Sequence, residues 1–111
     1  MYARAYGEIE SWPAKDELAA VLQEAGLSVR VGRYSVRVEC SSRFSFETYG
    51  GDLGPPVLDA DADTVAEMLH VTEQVSKALT RAKLVHRFEV LDENDETVGY
   101  FHYGWPKTDA Q

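Results

Sequence analysis

Three runs of alternating apolar and polar residues follow one another in the first half of the sequence, and they restrict the fold more than any other feature. Their apolar positions are Leu27, Val29 and Val31, then Tyr34, Val36, Val38 and Cys40, then Phe44, Phe46 and Thr48. An apolar residue at every second position is typical of a strand that has one face on a core and the other toward solvent. The sequence therefore predicts three consecutive strands.

Short turns determine how these strands pair. Gly32-Arg33 fits a two-residue turn and sets Val29 opposite Val36. A three-residue loop over residues 41–43 then sets Arg37 opposite Glu47. Because both turns keep inward residues opposite inward residues, the three strands are predicted to form an antiparallel meander with one apolar face.

Two other segments have apolar residues at helical spacing. The first runs from about Pro13 to Ala25, where proline suits the first turn and Gly26 suits the stop. The second begins near residues 59–63 and runs to about Lys83. The three acids of residues 59–63 also have the opening spacing of a calcium loop, but Thr64 stands where the turn glycine belongs. We interpret them as the start of the helix, where negative charge is favourable.

The chain also begins and ends with strand patterns. Residues 2–10 alternate between a side of small residues and a side that carries tyrosines. Residues 84–91 and 97–105 are predicted to form a hairpin around an acidic turn. A loop of odd length sets Phe88 opposite Tyr100, Val90 opposite Val98 and His86 opposite His102.

These elements predict an α+β fold with a mostly antiparallel sheet of about six strands, two helices on one face, and the order β-α-β-β-β-α-β-β. A chain of 111 residues, 44% of them hydrophobic, has the size and composition of one globular domain. We expect that domain to cover residues 1–106, with residues 50–56 as an internal loop. Residues 107–111 are predicted to be a frayed C-terminal tail.

The composition also excludes some classes of function. A formal net charge of −8 disfavours general binding to nucleic acid or to an anionic membrane surface. Cys40 is the sole cysteine, so an internal disulfide is impossible, and no apolar run approaches the ~20 residues of a membrane span. We therefore expect a cytoplasmic protein.

Aromatic residues are more numerous than one core requires. If Phe88 and Tyr100 face the helices, the aromatic residues at alternate positions must face the other way. That set, an expected binding face, is Tyr2, Tyr6, Phe101, Tyr103 and Trp105. Tyrosine and tryptophan are favoured at protein interfaces because they combine a large area with a polar tip. The alternative is that the sheet curls over these rings or that a segment such as residues 50–58 covers them.

Two groups of polar residues are candidate sites. Arg30, Arg33, Arg37 and Arg43 form a predicted basic patch on the outward side of the meander, where ion pairing across strands is the favoured role over nucleic-acid binding. His86 and His102, if directly opposed, are a weak candidate for a zinc or copper site that lacks further ligands. Cys40 lies at an inward strand position, and no catalytic residues and no cofactor are predicted.

The sequence therefore favours a small acidic protein-binding module that is not an enzyme and that binds a partner or a second copy of itself. It fits an inhibitor or immunity-type protein whose acidic surface blocks a basic enzyme, or a chaperone-like or adaptor dimer. From the first helix onward, the element order is similar to that of type III secretion chaperones, with an extra leading strand and no closing helix. The alternative function is a small-molecule or metal-binding domain with a site near His86 and His102.

Overall fold

A computed structural model describes residues 2–47 and 57–105, so the predicted loop at residues 50–56 and the predicted tail at residues 107–111 lie outside the described residues. The elements in chain order are Ala3–Ile9 (β1), Lys15–Glu24 (α1), Val29–Val31 (β2), Ser35–Val38 (β3), Arg43–Glu47 (β4), Val57–Ala62 (β5), Val65–Arg81 (α2), His86–Leu91 (β6) and Thr97–Tyr103 (β7). The described strands form one seven-stranded sheet in the order β2-β3-β4-β5-β1-β6-β7, and every pairing is antiparallel. The predicted α+β class with two helices on one face is confirmed.

The core lies between the two helices and one face of the sheet. From the sheet it receives Phe44, Phe46 and Phe88, whose rings meet one another at centroid distances between 5.7 and 6.4 Å. From the helices it receives the apolar stripes of α1 and α2. As the alternation of the first strand predicts, Ala3, Ala5 and Ile9 of β1 are buried on this side.

Each helix ends close to where its sequence predicts, but each begins later in the chain than predicted. α1 starts at Lys15, and the Glu17 carboxylate accepts a hydrogen bond from the backbone N–H of Ala14. Gly26 follows α1 with a φ of +90° and donates its N–H to the Gln23 carbonyl, which ends the helix. α2 starts after Thr64, whose hydroxyl accepts a hydrogen bond from the Glu67 N–H at 3.1 Å.

The prediction that residues 59–63 begin the second helix is wrong. Val57–Ala62 is the additional strand β5, which pairs with both β4 and β1. Leu58, Ala60 and Ala62 are buried on the helix side, while Asp59 and Asp61 face the other way. Apolar and polar residues alternate in this segment with a period of two, as in the strands of the meander. The three aspartates also fit the start of a helix, and for that reason the strand was not predicted.

The predicted meander exists, but its pairing is shifted by two residues. Gly32 donates its N–H to the Ser35 carbonyl at 2.8 Å, so the turn is centred on Arg33 and Tyr34 rather than on Gly32 and Arg33. Val31 therefore lies opposite Val36, Val29 lies opposite Val38, and Ser45, not Glu47, lies opposite Arg37. A shift of two leaves each strand residue on its predicted face. Tyr34 and Cys40, which were predicted to point inward, lie outside the strands and are exposed.

The predicted pairing of the last hairpin is wrong by one residue. Leu91 lies opposite Thr97, as a loop of odd length requires. The next pair is Val90 and Gly99, because Val98 is an extra residue in a β-bulge. From that point every side chain of β7 is on the face opposite to the predicted one. Phe88 thus meets Phe101, and His86 meets Tyr103.

Candidate functional site: the open face of the sheet

The side of the sheet that carries no helix is here called the open face. Alternation places one side chain in two on this face, because successive residues of a strand point to opposite sides. The strands direct to this face Arg4, Tyr6 and Glu8 from β1, Arg30 from β2, Arg37 from β3, Arg43 and the fully buried Ser45 from β4, Asp59 and Asp61 from β5, Arg87 and Glu89 from β6, and Tyr100 and His102 from β7. Charged and aromatic groups therefore cover the whole width of the sheet.

Two exposed tyrosines lie on this face, one on β1 and one on the edge strand β7. Tyr6 and Tyr100 both lie opposite Glu89, from β1 and β7 respectively, and are 44% and 45% exposed. The Arg4 guanidinium stands over the Tyr6 ring at 5.1 Å, and the rings of Tyr100 and His102 are 4.9 Å apart. These contacts limit the ring rotations while the ring edges remain accessible to a partner.

An arginine on β4 holds two aspartates of β5. Arg43 lies at 2.9 Å from Asp59 through Nη2 and at 3.0 Å from Asp61 through Nε. The Arg43 hydrogen bond lowers the pKa of the Asp59 carboxyl, and the two carboxylates raise the pKa of Arg43. The Asp59 carboxylate therefore stays charged near neutral pH, and the three groups act as a fixed, hydrogen-bonded frame.

A second ion pair connects β1 and β6. The Glu8 carboxylate accepts hydrogen bonds from Nε and Nη2 of Arg87 at 3.2 and 2.8 Å, and this contact raises the pKa of Arg87. The same guanidinium stands over the Trp105 ring at 5.5 Å. Arg87 thus places Trp105, which follows β7, against the open face.

The predicted aromatic binding face is divided by the bulge. Tyr2 and Tyr6 are exposed on the open side, and Trp105 is half-buried there under Arg87. Phe101 and Tyr103 were predicted on this face, but they follow the bulge and face the helices, where Phe101 packs on the core. The residue that sequence reasoning missed is Tyr100. Gly99 was the available signal, because an isolated glycine in a strand indicates a bulge or a close backbone contact.

The predicted basic patch is only partly assembled. Arg30 lies directly opposite Arg37, and together with Arg43 they line a hollow of about 580 Å³ at one end of the meander. Arg33 is at the β2–β3 turn, where its guanidinium stands 5.4 Å from the Tyr34 ring. Since Arg43 is held by two aspartates and Arg30 pairs with Glu39 at 3.3 Å, acidic groups offset most of the positive charge.

The two histidines of the weak metal candidate do not face each other. His102 lies opposite Arg87 and is exposed on the open face, whereas His86 is fully buried on the helix side. The bulge is again the reason, since it moves His102 to the other face. Among residues 2–47 and 57–105, no group of three or more histidine, cysteine or acidic side chains is arranged to hold a metal ion.

His86 instead forms a buried pair with a serine of α2. Its Nδ1 lies 2.8 Å from the Leu84 carbonyl, so Nδ1 carries the proton, and Ser76 donates its hydroxyl to Nε2 at 2.7 Å. Burial lowers the pKa of His86, which favours the neutral ring. A serine that donates to a neutral imidazole resembles part of a nucleophilic site, but within residues 2–47 and 57–105 the ring is oriented by the Leu84 carbonyl and not by a carboxylate, and both groups are buried. The pair therefore satisfies polar groups within the core.

Cys40 was predicted to be buried, but it is exposed beside the β3–β4 turn. Its Sγ donates to the Ser42 carbonyl at 3.2 Å. It lines a hollow of about 340 Å³ together with Glu67 and His70 of α2. In the described part of the chain, the Cys40 thiol has no contact with the His70 imidazole. His70 is therefore not placed to activate the thiol as a base.

Comparison with known proteins does not assign a family. No protein-family model matches the chain, and neither the curated proteins nor the solved structures contain a match. None of the described helices is both long enough and apolar enough to cross a membrane.

Proposed function

We propose that the chain is a small, acidic, non-enzymatic protein-binding module of the cytoplasm, and that it recognises its partner, or a second copy of itself, with the open face. The observation that carries this proposal is the pair Tyr6 and Tyr100, which flank Glu89 and are each nearly half exposed on a sheet face without helices. Tyrosines of this kind contribute disproportionately to protein interfaces, because the ring buries a large area and the hydroxyl forms hydrogen bonds.

The surroundings of the tyrosines support the same function. Arg43 with its two aspartates lies on one side of them, and Arg87 with Glu8 lies on the other. Charges that are already paired need not find a new counter-ion when a partner covers them, which lowers the cost of removing water. Tyrosine is one of the residues that are enriched in protein interfaces, where polar groups form the rim.

Two kinds of partner are proposed. A net charge of −8 favours a basic protein, as for an inhibitor or immunity-type protein, and steers association by long-range attraction. The other version is a chaperone-like or adaptor dimer. The alternative function near His86 and His102 has lost its geometric basis, because the two rings lie on opposite faces of the sheet.

Variants of exposed tyrosines test the proposal with a matched control. Tyr6→Ala combined with Tyr100→Ala removes both rings, whereas Tyr34→Ala removes a tyrosine of similar exposure, 49%, at the β2–β3 turn. We expect the double variant to lose partner capture from a native lysate, or self-association measured by size exclusion with light scattering. A loss of about 2 kcal/mol or more is expected if these residues are hot spots.

Tyr34→Ala is expected to behave like the unmodified chain. Thermal melting of all three proteins verifies that each one is folded before binding is compared. The proposal fails if the folded double variant captures the same partner, or self-associates, as strongly as Tyr34→Ala does.

A further inference from the structure

The sheet has one long edge strand. β7 has seven residues and lies at the end of the strand order, whereas β2, at the other end, has three residues and packs beside α1. In an antiparallel edge strand, alternate residues direct their N–H and C=O groups away from the sheet. Within residues 2–47 and 57–105, β7 pairs with β6 alone. Its outer edge therefore has the backbone groups that a further strand requires.

A groove runs beside this edge. It has a volume of about 590 Å³ and lies between β7 and α2, with Tyr100, Phe101 and His102 on the strand side and Glu73, Lys77, Thr80 and Arg81 on the helix side. Phe101 is half-buried, so part of an aromatic ring remains available within the groove. A strand placed against β7 would direct every second side chain toward this ring and toward α2.

The charge of the groove is opposite to that of the molecule. Its helix wall carries two cations, Lys77 and Arg81, against the single carboxylate of Glu73, while the whole chain has a net charge of −8. The Glu73–Lys77 contact is long, at 3.9 Å. Among the described residues, Arg81 has no hydrogen bond or ion pair. An acidic ligand would therefore find an unpaired guanidinium at the end of the groove.

We propose that β7 and the groove beside α2 bind an extended acidic segment of a partner protein by strand addition. The backbone of the segment pairs with the outer edge of β7. Its apolar side chains pack on Phe101, and a carboxylate pairs with Arg81. This mode combines affinity from backbone hydrogen bonds with specificity from alternate side chains.

A second copy of the chain is a poorer occupant. Pairing of two β7 strands would bring together two molecules that each carry a net charge of −8, and it would leave each Arg81 without a carboxylate from an acidic segment. The groove borders the open face, since Tyr100 and His102 of β7 line it beside Phe101. Arg81 distinguishes the two binding modes, because it lies on α2 and not on the open face.

Synthetic peptides test the proposal directly. The probe is a fluorescently labelled peptide with the repeat valine-threonine-glutamate-threonine, in which valine and glutamate share the face that is directed toward Phe101 and α2. It is compared with a peptide in which lysine replaces glutamate and with one whose alternate backbone amides are N-methylated. We expect the acidic peptide to bind, with fluorescence anisotropy giving a Kd below about 1 mM, and to protect alternate β7 amides from hydrogen exchange. The lysine and N-methylated peptides are expected to bind at least about ten-fold more weakly.

Charge reversal on the protein provides the matched control. Arg81→Glu is expected to weaken binding of the acidic peptide by about ten-fold or more, while Arg33→Glu, the same change at the exposed β2–β3 turn, leaves it nearly unchanged. The proposal is overturned if the acidic peptide does not bind below about 1 mM, if Arg81→Glu and Arg33→Glu weaken it equally, or if protection falls on β2 instead of β7. Formation of a dimer through β7, seen by light scattering, would also contradict it.

Discussion

Two threonine side chains of α2 differ in what their hydroxyl groups do. The Thr80 hydroxyl donates to the Ser76 carbonyl at 2.8 Å. The Thr72 hydroxyl is fully buried in the core and has no hydrogen-bond partner among the described residues. A buried hydroxyl without a partner costs free energy, since it has lost its hydrogen bonds to water.

We therefore expect Thr72→Val to raise the free energy of unfolding by about 1 kcal/mol, because valine has nearly the same shape without the buried polar atom. Thr80→Val, the control on the same helix, is expected to lower it or leave it unchanged, since it removes a hydrogen bond that is formed. Urea unfolding of both variants measures the difference. A Thr72→Val protein less stable than Thr80→Val would show that the Thr72 hydroxyl is satisfied.

The buried pair of His86 and Ser76 predicts a pH dependence of stability. Burial lowers the pKa of His86 in the folded protein, whereas in the unfolded chain it has its ordinary value of about 6.5. The unfolded chain thus binds a proton first as the pH falls. The free energy of unfolding should decrease below about pH 6.5, by up to about 1.4 kcal/mol per pH unit, until the folded protein also binds the proton.

Two histidine variants isolate this contribution. His86→Gln is expected to remove the pH dependence that His86 causes. The difference in the free energy of unfolding between the native chain and this variant should therefore become smaller as the pH falls from about 7.5 to about 5. His102→Gln changes an exposed ring on the open face and is expected to keep the dependence. Denaturant unfolding at several pH values measures both. Parallel curves for the native chain and His86→Gln would contradict the assignment.

Two glycines allow close contacts between elements. A Cβ on Gly7 of β1 would lie 2.1 Å from Cδ1 of Phe88 and 2.3 Å from the Arg87 carbonyl oxygen. A Cβ on Gly99 of β7 would lie 2.4 Å from Cδ2 of Leu69, at the end of a flexible side chain of α2. The first clash involves backbone, which cannot move without disturbing the β1–β6 pairing.

Gly7→Ala is therefore expected to destabilise the protein by about 1–3 kcal/mol, and Gly99→Ala by less, because Leu69 can change its rotamer. Urea unfolding compares the two variants directly. Equal losses, or a larger loss for Gly99→Ala, would show that Leu69 has no room to move and that the β1–β6 pairing adapts more easily than these distances indicate.

Short-range patterns predicted the elements, and long-range contacts decided their register. Both helices and the alternation in the strands could be read from the sequence, so the face of Tyr6 was predictable. Strand β5 was missed because Asp59 and Asp61 also fit a helix start, and their role became visible only beside Arg43, which is distant in sequence. Tyr100 was missed because Val98 is an extra residue in a bulge, which moves the side chain of Tyr100 to the other face. The alternation of apolar and polar residues along a strand does not show where a bulge inserts a single extra residue.

At the scale of the whole molecule, the first strand joins two parts of the sheet. The neighbours β2, β3, β4 and β5 form one part, β6 and β7 form the other, and β1 pairs with β5 on one side and β6 on the other. Its partners in β6 lie far away in sequence, as the pairing of Ala5 with Val90 illustrates. Such distant pairings close large loops, so we expect β1 to join the sheet late in folding.

Removal of residues 1–10 tests this arrangement. Without β1, the edges of β5 and β6 lose their partner strand and the core loses the side chains of Ala3, Ala5 and Ile9. We expect the shortened chain to lack a cooperative thermal transition, and a synthetic peptide of residues 1–10 to restore it, because the peptide supplies both sets of backbone hydrogen bonds. A peptide with Ala5→Asp should fail, since this position is 2% exposed, whereas Tyr6→Asp should still restore the transition from its 44% exposed position. A cooperative transition of the shortened chain alone would mean that the two parts of the sheet close on each other without β1.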